Sequence, residues 1–151
     1  MSKRLFRGFT LIELLVVIGI LGILLAIVLI AINPAAQFAQ ANNTKRQSDV
    51  SAILNAVHQF AADSRGNLPA DIDGTATEIS EAGANICADI SPDYIALLPR
   101  DPSLTGDDTT DCATGYTTGY SISVDADGRV TVVALSAEAV RGVTPTISLT
   151  R

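Results

Sequence analysis

Residues 14–32 read LLVVIGILGILLAIVLIAI, nineteen residues without a single charged side chain. Extended back to Phe9, a helix through this stretch is about 36 Å long at ~1.5 Å per residue, enough to cross a bilayer core of about 30 Å. The segment 1–8 before it carries three basic residues and no acidic one. Because positive charge is retained in the cytoplasm, the sequence predicts a single-pass membrane protein with its C-terminal part outside the cytoplasm.

The charges of the chain are segregated along its length. The 151 residues have a net charge of −6, and residues 63–127 alone hold 13 Asp and Glu against two Arg. Negative charge repels phosphate backbones, which argues against direct binding of nucleic acid. No nucleophile–base pair, phosphate-binding loop or metal-ligand cluster is recognisable, so we expect a protein that is not an enzyme.

Glu13 stands at the start of the apolar run, where a plain membrane anchor has no need of a carboxylate. A charged group deep in a membrane helix costs about 2.5–3.5 kcal/mol on insertion scales, and such groups normally have a partner. The position of Glu13 therefore indicates a specific pairing interaction.

The residues around Glu13, GFTLIE at 8–13, stand behind basic residues and ahead of the apolar helix. This pattern resembles the class III signal of the type IV pilin and pseudopilin family. The resemblance covers residues 3–32 closely and, more loosely, the helix to about residue 64. It implies that prepilin peptidase cuts after Gly8, that Phe9 becomes the N-methylated mature terminus, and that Glu13 pairs with the Phe9 amine of a neighbouring subunit. An amine and a carboxylate in an apolar filament core are tolerable only when paired, so this contact would set the register of assembly.

The resemblance also implies a function and a set of partners. The chain would be a prepilin, the structural subunit of a type IV pilus or related filament. Its partners would be copies of itself, prepilin peptidase, the inner-membrane assembly platform and, before assembly, membrane lipid. After residence in the plasma (inner) membrane it would end in an extracellular pilus or a periplasmic pseudopilus. A pseudopilin of a type II secretion or DNA-uptake system is one alternative, and a monomeric membrane-anchored binding module with an uncut leader is another.

The apolar helix is predicted to continue beyond the membrane. We expect a leader at 1–8, a membrane or filament-core helix at 9–32 and an amphipathic continuation at 33–66, ending near Ser64. Pro34 marks a helix break, either a kink or, as the family resemblance suggests, a stretch that unwinds on assembly. The apolar stripe of the last part comprises Val50, Ile53, Leu54, Val57, Phe60 and Ala61. Lys45 and Arg46 are expected on a solvated face, with contact to acidic patches of neighbouring subunits as the alternative.

Residues 67–151 predict a small outer β domain, giving an α+β fold in which a long N-terminal helix packs on a small antiparallel sheet. Residues 116–136 have the pattern of a hairpin turning at Asp125–Gly128, and residues 143–149 offer a third strand. Within the domain, LPRDP at 98–102 resembles a segment that precedes the final strands of pseudopilin-like subunits.

Two features of the outer domain suggest covalent or ionic cross-links. Cys87 and Cys112 are the only cysteines, and outside the cytoplasm they predict a disulfide. Asp107, Asp108 and Asp111 lie within five residues, and some pseudopilins bind calcium in such a loop. The resemblance here is loose, and a solvated acidic loop is the favoured interpretation; no other cofactor is expected.

Overall fold

The computed structural model describes residues 8–106, 109, 111–112 and 115–151, and it divides at Gln37/Phe38 into two compact units. The first unit contains helix α1, Leu11–Ile32, and the start of helix α2, Pro34–Asp63. The second unit contains the rest of α2, strand β1 (Thr77–Ser80), the short helix α3 (Cys87–Ile90), and strands β2 (Thr117–Val124), β3 (Val130–Ala134) and β4 (Ser148–Thr150).

The single helix predicted from Phe9 to Ser64 is two helices. Thr10 caps α1, and Asn33 ends it in a left-handed conformation with φ 47° and ψ 77°. Pro34 then occupies the first position of α2, where its missing N–H removes no helical hydrogen bond. The break predicted at Pro34 therefore has Asn33 as its non-helical residue.

The apolar stripe of α2 forms one wall of the core of the second unit. Val50, Ile53, Leu54 and Val57 are almost completely buried, and Phe60 packs at the margin of the same cluster. The i, i+3, i+4, i+7 spacing places these side chains on one side of the helix, and burying each gains roughly 1.5–3 kcal/mol. The stripe thus fixes which side of α2 faces the rest of the unit.

The opposite wall of the core is a four-stranded antiparallel sheet in the order β1-β2-β3-β4. The predicted hairpin is present as β2 and β3, with Tyr120 opposite Ala134 and Val124 opposite Val130. Its turn closes with Gly128 at φ 82°, where a glycine avoids the steric cost of the left-handed region. Together with the helices, this sheet confirms the α+β class.

Two strands differ from expectation. β1 was not predicted, because TEIS offers only one apolar residue, Ile79, which is fully buried. The expected strand at 143–149 is shorter and later: β4 begins at Ser148, whereas Val143 only bridges back to Val140. Pro145 lacks a backbone donor and lies before the strand, as the ladder requires.

The predicted disulfide between Cys87 and Cys112 is present, with a Cα–Cα distance of 5.4 Å. Cys87 is fully buried in the core and Cys112 packs at its margin. The bridge therefore ties the segment before β2 to the first turn of α3.

Candidate assembly site

The N-terminus of α1 carries a complete capping box. The side-chain oxygen of Thr10 accepts a hydrogen bond from Glu13 N at 3.2 Å, and Glu13 Oε2 accepts hydrogen bonds from Thr10 N at 3.0 Å and from Thr10 Oγ1 at 2.9 Å. Three donors of the first turn are thereby satisfied within one subunit. The carboxylate of Glu13 is both locally stabilised and exposed.

The junction that the class III pattern predicts for cleavage lies just before this cap. Gly8 and Phe9 are exposed, and the Phe9 side chain retains 83% of its accessible surface. Phe9 and Glu13 are four positions apart, with the capping residue between them. Cleavage at Gly8, methylation of Phe9 and pairing of Glu13 remain predictions.

Helix α1 is apolar on all sides and buries none of its residues within the chain. It is the one helix in the described part of the chain that is long and apolar enough to cross a membrane. A buried core helix would meet the same criterion of length and composition, but α1 is completely exposed. Its surface therefore requires lipid or other helices as its environment.

Arg46 is fully buried in the second unit, so its predicted solvated position is wrong. Its Nε and Nη2 donate to the two carboxylate oxygens of Asp101 at 2.7 and 2.9 Å. Nη1 donates to Asn43 Oδ1 at 2.9 Å, and Nη2 also donates to Glu138 Oε1 at 3.0 Å. This bidentate geometry suits the planar guanidinium, and the additional acceptors bring the number of hydrogen bonds from its five N–H groups to four.

Arg46 and Asp101 each favour the ionised form of the other. Burial disfavours ionisation of Asp101, but hydrogen bonds from Arg46 and Ser103 outweigh it and hold the pKa of Asp101 below its ordinary value. The hydrogen bonds to Asp101 in turn raise the pKa of Arg46. Both groups therefore stay ionised in the interior at neutral pH.

Asn43 and Glu138 extend the cluster to the loop after β3. Asn43 Nδ2 donates to the Glu138 carbonyl at 2.8 Å, and Glu138 N donates to Asn43 Oδ1 at 2.9 Å. Asn42 Nδ2 adds a hydrogen bond of 2.8 Å to Glu138 Oε1. One turn of α2 is thus held by two chain segments that lie far away in sequence.

A second polar group lies one turn further along α2. Asp49 Oδ2 accepts hydrogen bonds from Tyr120 Oη at 2.7 Å and from Lys45 Nζ at 2.9 Å. Burial, and then the Asp49 carboxylate, raise the pKa of the Tyr120 hydroxyl. The side chain of Lys45 is 44% exposed, in agreement with its predicted solvated position.

Sequence reasoning missed Arg46 because its partner Asp101 is 55 positions away. One signal was available: Arg46 precedes Val50 by four positions, and residues at i and i+4 share a helix face. The face that buries Val50 therefore also carries Arg46 into the interior.

The candidate calcium loop is only partly described. Asp107 and Asp108 lie outside the described residues, and Asp111 is exposed. Among the residues that the structure does describe, no group of three or more His, Cys, Asp or Glu side chains is placed to hold a metal ion.

Residues 3–29 match the family model described as the prokaryotic N-terminal methylation motif. This motif is the class III signal of type IV pilins and pseudopilins, and the match confirms the resemblance seen at the N-terminus. It supports a type IV pilin-like or pseudopilin protein. Comparisons with curated proteins and with solved structures give no match.

Proposed function

We propose that the chain is a prepilin, the structural subunit of a type IV pilus or a related filament. The observation that carries this proposal is an apolar helix, exposed on every side, whose one charged residue is Glu13. The helix directly follows the exposed Gly8–Phe9 junction and lies within the matched motif. Such a helix suits lipid before assembly and a bundle of identical helices afterwards.

Processing comes first in this proposal. Prepilin peptidase cuts after Gly8 on the cytoplasmic face, which removes Lys3, Arg4 and Arg7 and leaves Phe9 as a methylated amine. The inner-membrane assembly platform then moves the subunit from the bilayer into the filament. Intact mass of the mature protein should show loss of residues 1–8 and gain of one methyl group. A chain that retains Met1 would contradict the proposal and favour the monomeric anchored module.

On assembly, the Glu13 carboxylate changes its partner from Thr10 of the same chain to the Phe9 amine of a neighbouring subunit. Among the described residues, Thr10 alone donates hydrogen bonds to this carboxylate. In the filament the Phe9 amine of a neighbouring subunit pairs with it, and burial away from water makes an unpaired charge costly. The pair therefore favours one axial position of the incoming subunit over the others.

Glu13→Val tests this role. The variant should still enter the membrane, since Val suits an apolar helix, but filaments should be lost or disordered in electron micrographs of sheared cells. Glu13→Gln is the matched control for size: it retains acceptors for Thr10 but cannot pair ionically with an amine. Ordered filaments of Glu13→Val would refute the pairing.

A pseudopilin of a type II secretion or DNA-uptake system is the alternative, and the LPRDP segment at 98–102 favours it. Labelling the subunit in intact and in sheared cells separates the two functions, because only an extracellular pilus is released by shearing. Calcium at Asp107, Asp108 and Asp111 belongs to this alternative. Calcium titration of the full chain in detergent, compared with Asp111→Asn, tests that site.

A further inference from the structure

We infer that the β4 edge of the second unit, residues 38–151, docks against the acidic β1 end of the same unit in a second copy of this chain. We call this second unit the outer unit. This inference rests on the proposed function, because it describes a contact between neighbouring subunits of a filament. It concerns a surface that the N-terminal motif does not touch.

The first surface, the β4-edge surface, comprises the groove beside β4 and the exposed Arg141 and Arg151, which flank its residues 146–149 in sequence. β4 is the last strand of the sheet and pairs with β3 alone. A groove of about 260 Å³ separates it from α2 and is lined by Gln47, Val50 and Ser51 on one side and by residues 146–149 on the other. An unpaired strand edge beside an open groove is a natural contact surface.

The chain segments on either side of residues 146–149 each carry an exposed arginine. Arg141 and Arg151 are exposed, and Arg151 Nη1 donates to Asn55 Oδ1 of α2 at 2.9 Å. Residues 128–151 contain three Arg, of which Arg129 is paired with Asp125 and Asp127, and a single acidic residue, Glu138, whose carboxylate accepts from Arg46 and Asn42. In a chain of net charge −6 this is an uncommon concentration of cations.

The second surface, the acidic surface, comprises Asp71, Glu81 and Asp89, of which Glu81 adjoins the other edge strand of the sheet. Glu81 directly follows β1, and all three residues are exposed. None of the three forms an ion pair within the described part of the chain.

The three carboxylates of the acidic surface surround Tyr116 electrostatically, and Asp71 and Asp89 also repel each other. Burial raises the pKa of the Tyr116 hydroxyl, and the charges of Asp71, Asp89 and Glu81 raise it further. Partial burial and the charge of Asp71 likewise raise the pKa of Asp89. A cation brought to this surface would relieve that repulsion.

The two surfaces are complementary in charge and lie at opposite edges of one sheet. A contact between them is heterologous: each copy offers its β4 edge to one neighbour and its acidic surface to the other. Heterologous contacts that do not close on themselves build open filaments. Electrostatic complementarity contributes mainly specificity and register, and many repeats of a weak contact add up along a polymer.

The test uses the full chain expressed with its assembly machinery. Arg141→Glu combined with Arg151→Glu places like charges opposite one another and should reduce the yield of sheared filaments by about tenfold or more. Arg65→Glu is the matched control: Arg65 is also exposed but lies outside both surfaces, so filament yield should not change. Combining the double reversal with Asp71→Lys and Glu81→Lys should restore the yield.

The outcomes separate this inference from the proposed function. If wild-type filaments form and the double reversal leaves their yield unchanged, the docking contact alone is overturned. The same follows if the variant that combines the double reversal with Asp71→Lys and Glu81→Lys folds but does not restore the yield. An absence of wild-type filaments would overturn the proposed function and this inference with it. A photo-crosslinking amino acid at Ser148 identifies the occupant: adducts to residues 71–89 of the same chain support the contact, whereas adducts to another protein or to lipid overturn it.

Discussion

Arg46 and Asp101 form a fully buried bidentate ion pair across 55 positions of sequence, with N···O distances of 2.7 and 2.9 Å. The pair joins the part of α2 that begins the second unit to the segment that follows Leu98. Removing one partner of a buried pair leaves an uncompensated charge, which typically costs about 3–5 kcal/mol.

Arg46→Met should therefore lower the free energy of unfolding of the full chain by about 3–5 kcal/mol, since Asp101 loses its partner in the interior. Chemical denaturation in detergent micelles measures the change. Lys45→Met is the control: the side chain of Lys45 is 44% exposed, and Asp49 keeps its hydrogen bond from Tyr120, so the loss should be smaller than that of Arg46→Met. Equal destabilisation by the two variants would contradict the central role of Arg46.

The same pair predicts a dependence of stability on acid. The pKa of Asp101 is lower in the folded state than its ordinary value, so the unfolded chain binds the proton more readily. The stabilisation is fully present above the unfolded pKa of about 3.9 and is lost as pH falls through the folded pKa. The difference in unfolding free energy between wild type and Asp101→Asn should shrink below about pH 4. A constant difference between pH 7 and pH 3 would show that the Asp101 charge is not responsible.

Gly119 allows Asp101 to approach β2. It adopts φ 77°, and a Cβ added to it would lie 2.8 Å from Asp101 Cβ and 3.2 Å from Leu104 Cδ1. We expect Gly119→Ala to destabilise the chain by about 2–4 kcal/mol, because backbone strain and steric overlap act together. Gly128→Ala is the control, since Gly128 has φ 82° but open space around it, so only the cost of the backbone conformation, roughly 1–2 kcal/mol, applies. Equal effects in the two variants would exclude the steric contribution.

The disulfide closes a loop of 25 positions. On the chain-entropy model such a closure stabilises by about 3.5 kcal/mol, so Cys87→Ala combined with Cys112→Ala should lower the free energy of unfolding by about that amount. Reduction of the wild type by dithiothreitol should give a comparable loss. Thiols that react with a maleimide in the unreduced, denatured protein would show that the bridge does not form.

The Thr10 side chain hydrogen-bonds both the carboxylate and the backbone N–H of Glu13 at the start of α1. Thr10→Val removes the two hydrogen bonds of the Thr10 hydroxyl, which donates to Glu13 Oε2 and accepts from Glu13 N, and losing such a cap costs about 1 kcal/mol of helix stability. The amide of Glu13 should then exchange with solvent about fivefold faster in micelles, by mass-spectrometric hydrogen exchange. Thr10→Ser retains the hydroxyl and should exchange as the wild type does; faster exchange in both variants would refute the cap.

The N-terminal third and the hairpin are predictable from the sequence because their signals are local. The apolar run of α1, the stripe from Val50 to Val57 and the alternation in β2 and β3 each lie within one element. The interruption at Asn33 was predicted only as a feature of Pro34, since a left-handed asparagine carries no distinctive pattern.

The polar interior of the outer unit could not be predicted in the same way. Arg46, Asp101 and Glu138 come from three distant segments, and their burial depends on the tertiary arrangement rather than on periodicity. β1 is likewise defined by its pairing, with Glu78 opposite Ser121 and its side chain accepting a hydrogen bond from Gly119 N. Only long-range packing distinguishes such residues from an ordinary solvated surface.

The uniform exposure of α1 limits what this helix can specify in a polymer. An evenly apolar cylinder accepts a neighbour equally well at any angle about its axis, so the apolar surface of α1 carries no azimuthal information. In the proposed filament, pairing of Glu13, the one charged side chain of α1, would select a height along the axis and, because the side chain leaves one side of the helix, one angle at that height. In such a filament the apolar surface of α1 adds little to this single contact, so we expect side chains beyond residue 37 to contribute to the rotational setting of each subunit, and changes confined to residues 38–151 to alter the helical symmetry without altering the core.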